Sequence, residues 1–212
     1  MRKAIFLFAA FCLLAGTVNA QQIRSSPLEG RWVWDGKGEK DITEMVFFGN
    51  VLLGLYDDLP VYAGETFTFT NTIISLGEFE EWQYRISGNT LTLTIVDRAV
   101  SFKKAQIGKS PLDGIWKVTG GEGYDADSNN FVLFTGDIWA MGSSGDYEGM
   151  KVDFGLNSFC LTRSFFEYTT GEKITDEAFR EYVKEMTIEY KLSGRSLTLS
   201  NDGKEIFLAK VY

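Results

Sequence analysis

Histidine is absent from the 212 residues, and this absence removes the commonest general base and the commonest metal ligand. Cysteine is scarce as well. Of the two cysteines, Cys12 lies in the N-terminal apolar run, so Cys160 is left single and no internal disulfide is expected. We interpret Cys160 as a small buried side chain rather than a reactive thiol. Without histidine and without a Gly-x-Ser-x-Gly motif, the common nucleophile–base pairs are excluded, and we predict no enzymatic activity and no catalytic residues.

Long hydrophobic runs are missing beyond the N-terminus. Arg2 and Lys3 precede the apolar run Ala4–Leu14, and this run is followed by a segment that contains small residues and ends at Ala20. This pattern predicts a signal peptide over residues 1–20. We therefore expect an exported protein, periplasmic or secreted or at the outer surface. No later segment is apolar for long enough to form a transmembrane helix.

Basic residues are outnumbered, with 21 Lys and Arg against 29 Asp and Glu. The formal net charge is −8, and it becomes −10 when the two basic residues Arg2 and Lys3 leave with the predicted signal peptide. Such a chain is repelled by phosphate backbones, and no cluster of Lys and Arg offsets the repulsion. We expect no nucleic-acid partner.

The clearest positive feature is an internal repeat. Ser26–Trp32 recurs as Ser110–Trp116, an offset of 84 residues, and Trp82–Thr94 recurs as Ile188–Ser200, an offset of 106. The matches keep their order and their side-chain chemistry, which predicts two copies of one unit. We place the first β domain at residues 21–107 and the second at 108–212.

The difference between the two offsets predicts an insertion of about 22 residues in the second copy. Thr175 supplies an N-cap hydroxyl, and acidic residues follow in the first turn. A helical apolar stripe then consists of Phe179, Tyr182, Val183 and Met186. We predict one short amphipathic helix near residues 173–186.

Elsewhere the hydrophobic period is two, as in Phe67 and Phe69 or Leu91 and Leu93. Tight turns at 87–89 and 193–195 are flanked by such alternating segments, which is typical of β-hairpins. Roughly seven short strands per copy indicate an all-β barrel or sandwich.

Three motifs repeat with these strands: a Leu-x-Gly-x-Trp opening, a Tyr-x-(Ile/Leu)-Ser-Gly-x-(Thr/Ser)-Leu-Thr-Leu hairpin, and a closing strand that ends near a lysine. The set resembles the lipocalin-like domains of secreted bacterial proteins. The resemblance implies two tandem small antiparallel up-and-down β-barrels, the second with the inserted helix. It also implies that Trp32 and Trp116 plug one end of each barrel and that Lys104 and Lys210 cover these plugs.

Aromatic side chains are plentiful, and they either line a pocket or fill a core. Trp82, Tyr84, Trp139 and Tyr190 are the candidates for lining a ligand site. We expect a non-enzymatic binding protein without a cofactor, holding a small apolar ligand or a protein partner. The alternative is an outer-membrane or cell-surface protein with a structural or interaction role.

One segment resembles a calcium loop. Asp125, Asp127 and Asn129 place oxygen ligands at alternate positions. Asn130 stands at the sixth position, where such loops carry glycine, and Gly136 stands at the twelfth, where they carry glutamate. A polar turn explains the same residues, so we predict no metal site and leave the calcium alternative open.

Overall fold

The computed structural model describes residues 26–37, 42–56, 61–77, 80–124, 129–143 and 146–212. These residues form strands and two helices, so the predicted all-β class is confirmed. The first half contains β1 (Gly30–Trp34), β2 (Ile42–Phe48), β3 (Val51–Tyr56), β4 (Val61–Phe69), β5 (Ile73–Leu76), β6 (Glu80–Ser87), β7 (Thr90–Ile95) and β8 (Arg98–Ala105). The second half contains β9 (Gly114–Gly121), β10 (Asn130–Thr135), β11 (Ile138–Ser143), β12 (Asp146–Phe154), β13 (Ser158–Leu161), α1 (Arg163–Thr170), α2 (Asp176–Met186), β14 (Ile188–Ser193), β15 (Ser196–Asn201) and β16 (Lys204–Lys210).

Strands β1 to β8 form a closed antiparallel barrel, which we call the N-terminal ring. Each strand pairs with the next one in the chain, and β8 returns to pair with β1, with Trp32 opposite Lys104. The predicted closed antiparallel barrel is confirmed. Closure pairs each strand with two neighbours in the ring, although β5 covers only Phe67–Phe69 of β4 and leaves the first part of β4 to pair outside the ring.

Strands β9 to β16, which we call the C-terminal ring, pair in the same cyclic order. β16 returns to β9, with Lys210 opposite Trp116. The least extensive pairing is between β13 and β14, where only Ser158–Glu189 and Phe159–Ile188 are opposite each other. The two helices lie between these two strands in the chain, so the insertion interrupts the sheet at this seam.

The insertion differs from the single predicted helix near residues 173–186, because α1 precedes it. The Thr175 hydroxyl accepts a hydrogen bond from the Ala178 amide at 3.3 Å and begins α2, as expected. Helix α1 begins without a side-chain cap and has no acidic residue in its first turn. Its Phe, Tyr and Thr residues also favour strands, so the sequence gives no helix signal there.

The two rings are not separate bodies, because β4 pairs with β12. Tyr62 lies opposite Gly149 and Tyr147 lies opposite Gly64, which is the pattern of a local two-fold axis. All sixteen strands therefore belong to one continuous sheet. A third apolar cluster fills the space between the rings and consists of Val46, Val51, Leu53, Tyr62, Ile115, Leu133, Ile138, Ala140 and Tyr147.

Each ring also has its own interior core. Trp32, Phe47 and Phe102 lie within the N-terminal ring, and Trp116 and Phe159 lie within the C-terminal ring. In the described residues no helix is both long and apolar enough to cross a membrane, in agreement with the prediction.

Candidate functional site

The opening tryptophans lie at equivalent, fully buried positions in the two rings. The Trp32 indole donates a hydrogen bond to the Leu28 carbonyl at 2.6 Å, and the Trp116 indole donates one to the Leu112 carbonyl at 2.7 Å. A serine hydroxyl accepts the amide of each of these leucines, at 3.0 and 3.1 Å. The same seven-residue motif thus builds the same local structure twice.

The structure brings both predicted tryptophan–lysine pairs together. The Lys104 ammonium lies 5.1 Å from the Trp32 ring centroid, and the Lys210 ammonium lies 5.2 Å from that of Trp116. Both distances suit a cation–π interaction. Glycine is required beside the second pair, because a Cβ at Gly114 would lie 2.5 Å from the backbone carbonyl oxygen of Tyr212. The four residues thus form two equivalent tryptophan–lysine pairs, one in each ring.

Three of the four candidate ligand-lining residues use their polar groups within the protein. The Tyr84 hydroxyl donates to the Thr70 carbonyl at 2.7 Å, and the Tyr190 hydroxyl donates to the Leu156 carbonyl at 3.1 Å. These two contacts are equivalent in the two copies, and each ties a strand to a neighbouring turn. The Trp82 indole donates to the Glu80 carboxylate at 2.7 Å.

Trp139 differs from the other three candidates. It lies on β11 with its side chain in the interior of the C-terminal ring, where its ring centroid is 5.5 Å from that of Phe159. The side chain is half-buried, yet its Nε1 is buried and has no hydrogen-bond partner within the described part of the chain. A buried N–H without an acceptor costs about 1–3 kcal/mol.

The core around Trp139 contains three methionines. Met150 lies opposite Trp139 on the neighbouring strand, and Met141 and Met186 pack against the same core. Methionine has three rotatable bonds and a polarisable sulfur, so it adapts to guests of different shape. In the N-terminal ring Met45 is the one methionine of the buried core, and Leu52 takes the position that Trp139 has here.

The inserted helices approach the C-terminal ring at the end opposite Trp116. Strand β14 ends at Ser193, which lies opposite Ser196 of β15. Ser196 in turn lies opposite Ala209, next to the Lys210 that pairs with Trp116. Strand β14 therefore ends near Trp116 and begins, at Ile188, at the other end of the ring. Helix α2 leads directly into Ile188. Phe165 of α1 is buried in the ring's core, so the insertion covers this end of the interior.

A concave feature lies at the seam between β13 and β14, beside the turn that precedes β13. It is an open groove of about 450 Å³ lined by Leu156, Asn157, Ser158, Glu189 and Tyr190. Its lining is mainly polar, which is unlike the enclosed apolar sites that hold small molecules. We do not assign the ligand site to it.

A charged cluster joins the two rings. The Arg31 guanidinium donates to the buried Glu44 carboxylate at 2.6 Å and to Asp137 of the other ring at 3.2 Å. Tyr62 donates its hydroxyl to Glu44, and Lys151 lies 3.8 Å from the same carboxylate. Burial alone would lower the pKa of Arg31, but hydrogen bonding to Glu44 and the Glu44 charge raise it overall.

Sequence reasoning missed this charged cluster because its members are dispersed along the chain. Arg31 and Asp137 are 106 positions apart. A buried ion pair of this kind fixes a geometry more reliably than it adds stability. We therefore regard it as structural.

Cys160 is half-buried on the outer face of β13, close to Tyr182 of α2. Burial, with a smaller contribution from the charge of Asp153, raises the pKa of the Cys160 thiol. Burial likewise raises the pKa of Tyr182 to about 12. The thiolate is therefore disfavoured at neutral pH, as the sequence indicated.

The calcium alternative falls largely outside the described residues, because Asp125 and Asp127 are among those not described. Asn129 is described and lies just before β10. Within the described ranges, no group of three or more acidic, cysteine or histidine residues is arranged to hold a metal ion.

These observations define an all-β protein with a closed eight-stranded antiparallel barrel and a largely apolar interior. No family model and no curated protein matches the chain. A DNA polymerase sliding clamp from Pseudomonas aeruginosa is 9% identical over 88% of this chain and 58% of that chain, with a TM-score of 0.20. The DNA polymerase III beta subunit from Thermotoga maritima is 11% identical over 90% of this chain and 59% of that chain, with a TM-score of 0.18. The chain spans less than two thirds of these structures, and likeness at this level carries no argument about fold or function.

Proposed function

We propose that this protein is an exported, non-enzymatic binding protein that holds a small apolar ligand inside its C-terminal ring. We further propose that the two rings are tandem copies of a lipocalin-like unit. The repeated Trp–Lys pair and the shared cyclic strand order support this relationship. In this proposal the N-terminal ring is the packed scaffold, and the C-terminal ring is the copy that acquired a binding role.

The observation that carries the proposal is the state of Trp139. It is a half-buried aromatic residue inside a ring, its indole N–H is buried without a partner among the described residues, and methionines pack in the same core. Buried polar groups in folded proteins are almost always satisfied. A bound molecule supplies the missing partner and covers the apolar surface that remains exposed.

The two rings differ in the way that this proposal requires. Inside the N-terminal ring, the donors of Trp32, Trp82 and Tyr84 are all paired within the protein. The insertion that covers one end of the interior is present in the C-terminal ring alone. Ligand sites in barrels of eight strands hold one small molecule at most, which sets the ligand's size class.

Native mass spectrometry of the full chain, purified mildly from its producing cells, tests the proposal. We expect an additional mass of one small molecule, and we expect the emptied protein to bind the apolar dye N-phenylnaphthylamine. Met141→Trp fills the interior beside Trp139 and should abolish dye binding, whereas the volume-conserving control Met141→Leu should retain it. A folded protein with neither a bound molecule nor dye binding would show that the ring is simply a core. Retention in the membrane fraction without a bound molecule would favour the structural cell-surface role instead.

A further inference from the structure

We propose that the ligand of the C-terminal ring is a neutral apolar molecule bearing one acceptor oxygen, such as a ketone, an ester or an amide carbonyl, which accepts a hydrogen bond from Trp139 Nε1. This inference rests on the proposed function and specifies its ligand class. An indole nitrogen donates only, so the group that satisfies it must be an acceptor. A pure hydrocarbon would leave the donor unpaired.

The requirement for a neutral ligand follows from the charges of the protein. The buried side chains inside the C-terminal ring are mostly apolar, and the buried polar residue on the same face of β10 as Val132 and Phe134 is the uncharged Asn130. A single neutral donor cannot offset the desolvation of a full carboxylate charge. The net charge of −8 over the whole chain also repels anions. A carbonyl oxygen accepts the hydrogen bond without a charge that must be desolvated.

The register of Trp139 places the acceptor oxygen near the end of the ring that carries Trp116, with the apolar body against the neighbouring side chains. Trp139 contacts Phe159, whose ring in turn contacts Phe134 and Phe154 with centroid distances of 5.4 and 5.7 Å. This aromatic wall provides flat apolar contact surface. Met141 and Met186 are half-buried and provide the surface that adapts.

Three naphthalenes of nearly equal size, bearing an acetyl, an ethyl or a carboxylate group, test the inference by calorimetric titration of the full chain. We expect acetylnaphthalene to bind about threefold to tenfold more tightly than ethylnaphthalene, the amount that one hydrogen bond contributes. Naphthoate should bind most weakly. In Trp139→Phe the acetyl and ethyl compounds should bind equally, because the ring is kept and the donor is lost.

The matched control is Trp82→Phe in the N-terminal ring. Its indole N–H is already paired with Glu80, so its loss should leave the preference for acetylnaphthalene unchanged. An independent readout is the indole N–H resonance of Trp139 in the nitrogen-15-labelled wild-type protein. That resonance should move downfield with acetylnaphthalene and not with ethylnaphthalene, and it does not depend on the folding of any variant.

The outcomes separate the two proposals. If the wild-type protein binds the acetyl and ethyl compounds equally and the Trp139 resonance does not move, the acceptor inference is wrong. The proposed apolar site is then retained. Tightest binding of naphthoate overturns the requirement for a neutral ligand. Binding of none of the three overturns the proposed function itself.

Discussion

In each ring the opening tryptophan and a lysine of the last strand form an equivalent pair. The indole of the opening tryptophan is held from one side by a leucine carbonyl and from the other by a lysine ammonium. Gly114 has a φ of 151°, and Lys210 donates a hydrogen bond to the Asp113 carbonyl at 2.6 Å. The lysine stem covers apolar surface while its ammonium is paired, so burial of the indole is the larger contribution to stability.

Replacement of Trp116 by alanine is therefore expected to destabilise the protein by about 3–5 kcal/mol, as removal of a buried aromatic side chain does. Replacement of Lys210 by alanine should cost less, because a half-buried cation–π contact of this kind contributes about 1–2 kcal/mol. Urea unfolding of both single variants and of the double variant measures the coupling between them. Trp32→Ala and Lys104→Ala provide the same comparison in the N-terminal ring.

If Trp116→Ala unfolds at the wild-type urea midpoint, the indole contributes no burial energy and the assigned end closure is wrong. Additive effects in the double variant would mean that Lys210 and Trp116 do not interact. The effect of Trp32→Ala then shows whether the two copies use the motif equally.

The pairing of tryptophan with lysine was implied by the resemblance to lipocalin-like domains, and the repeat extended it from one copy to the other. Lys104 and Lys210 share the offset of the hairpins before them, so a role inferred for one applies to the other. Trp139 could be proposed from its aromatic character, but nothing in the sequence shows that its N–H lacks a partner. The contact of Arg31 with Asp137 depends on how the rings meet, and no local pattern records that.

At the scale of elements, alternation predicts the long strands and fails for the short ones. Strands β5 and β13 have four residues each, too few to establish a period of two, so roughly seven strands per copy were predicted where the structure has eight. Helix α1 was missed because its composition suits a strand. The helix is stabilised by the burial of Phe165 in the ring, and a tertiary contact of this kind is not predicted by the local sequence.

Deletion of residues 173–185, bridged by a short glycine segment, should leave a cooperative thermal transition at lower temperature. Helix α2 has no fully buried residue in the structure, whereas α1 keeps Phe165 in the core. The cost comes from the half-buried stripe and from the lost hydrogen bond between the Asn201 side chain and the Glu185 carbonyl. Circular dichroism against temperature measures the change.

Phe165→Ala in the full chain is the comparison for this deletion. We expect it to cost about 3–5 kcal/mol, more than the loss of α2, because it opens a cavity in the core. A chain that no longer folds without residues 173–185 would show that α2 is an integral part of the ring.

At the scale of the whole molecule, the contact between the rings combines an apolar cluster, the ion pair of Arg31 with Asp137 and two buried tyrosines. Tyr62 is fully buried, and burial together with the Glu44 charge raises its pKa. Burial raises the pKa of Tyr147 to about 12. In the unfolded chain both hydroxyls titrate near a pKa of about 10.

This difference predicts a loss of stability in alkali. Because the two hydroxyls hold their protons more tightly in the folded protein, their contribution to stability is fully present below pH of about 10. This contribution is lost as the pH rises through the folded-state pKa. Tyr147→Phe should therefore reduce the slope of stability against pH in this range, and Tyr168→Phe, at an exposed position, should not. Urea unfolding at a series of alkaline pH values checks this, and equal slopes for both variants would contradict it.

The two-fold pattern between β4 and β12 leads to a prediction about the isolated N-terminal ring. Residues 21–107 alone would expose the β4 edge and the apolar side chains that the C-terminal ring covers. Tyr62 faces Gly149 in the full chain, and Gly64 is the equivalent glycine in the first copy. A second copy of the fragment can therefore replace the missing ring through the same strand register.

We expect this fragment to be folded and dimeric. Circular dichroism and analytical ultracentrifugation together measure both properties. Leu53 is buried between the rings and points away from the interior of its own ring, so Leu53→Asp should give a folded monomer. A wild-type fragment that is folded and monomeric would show that the strand pairing contributes little to association. An unfolded fragment would show that the N-terminal ring requires the C-terminal ring to fold, because the apolar cluster between them is then part of a single core.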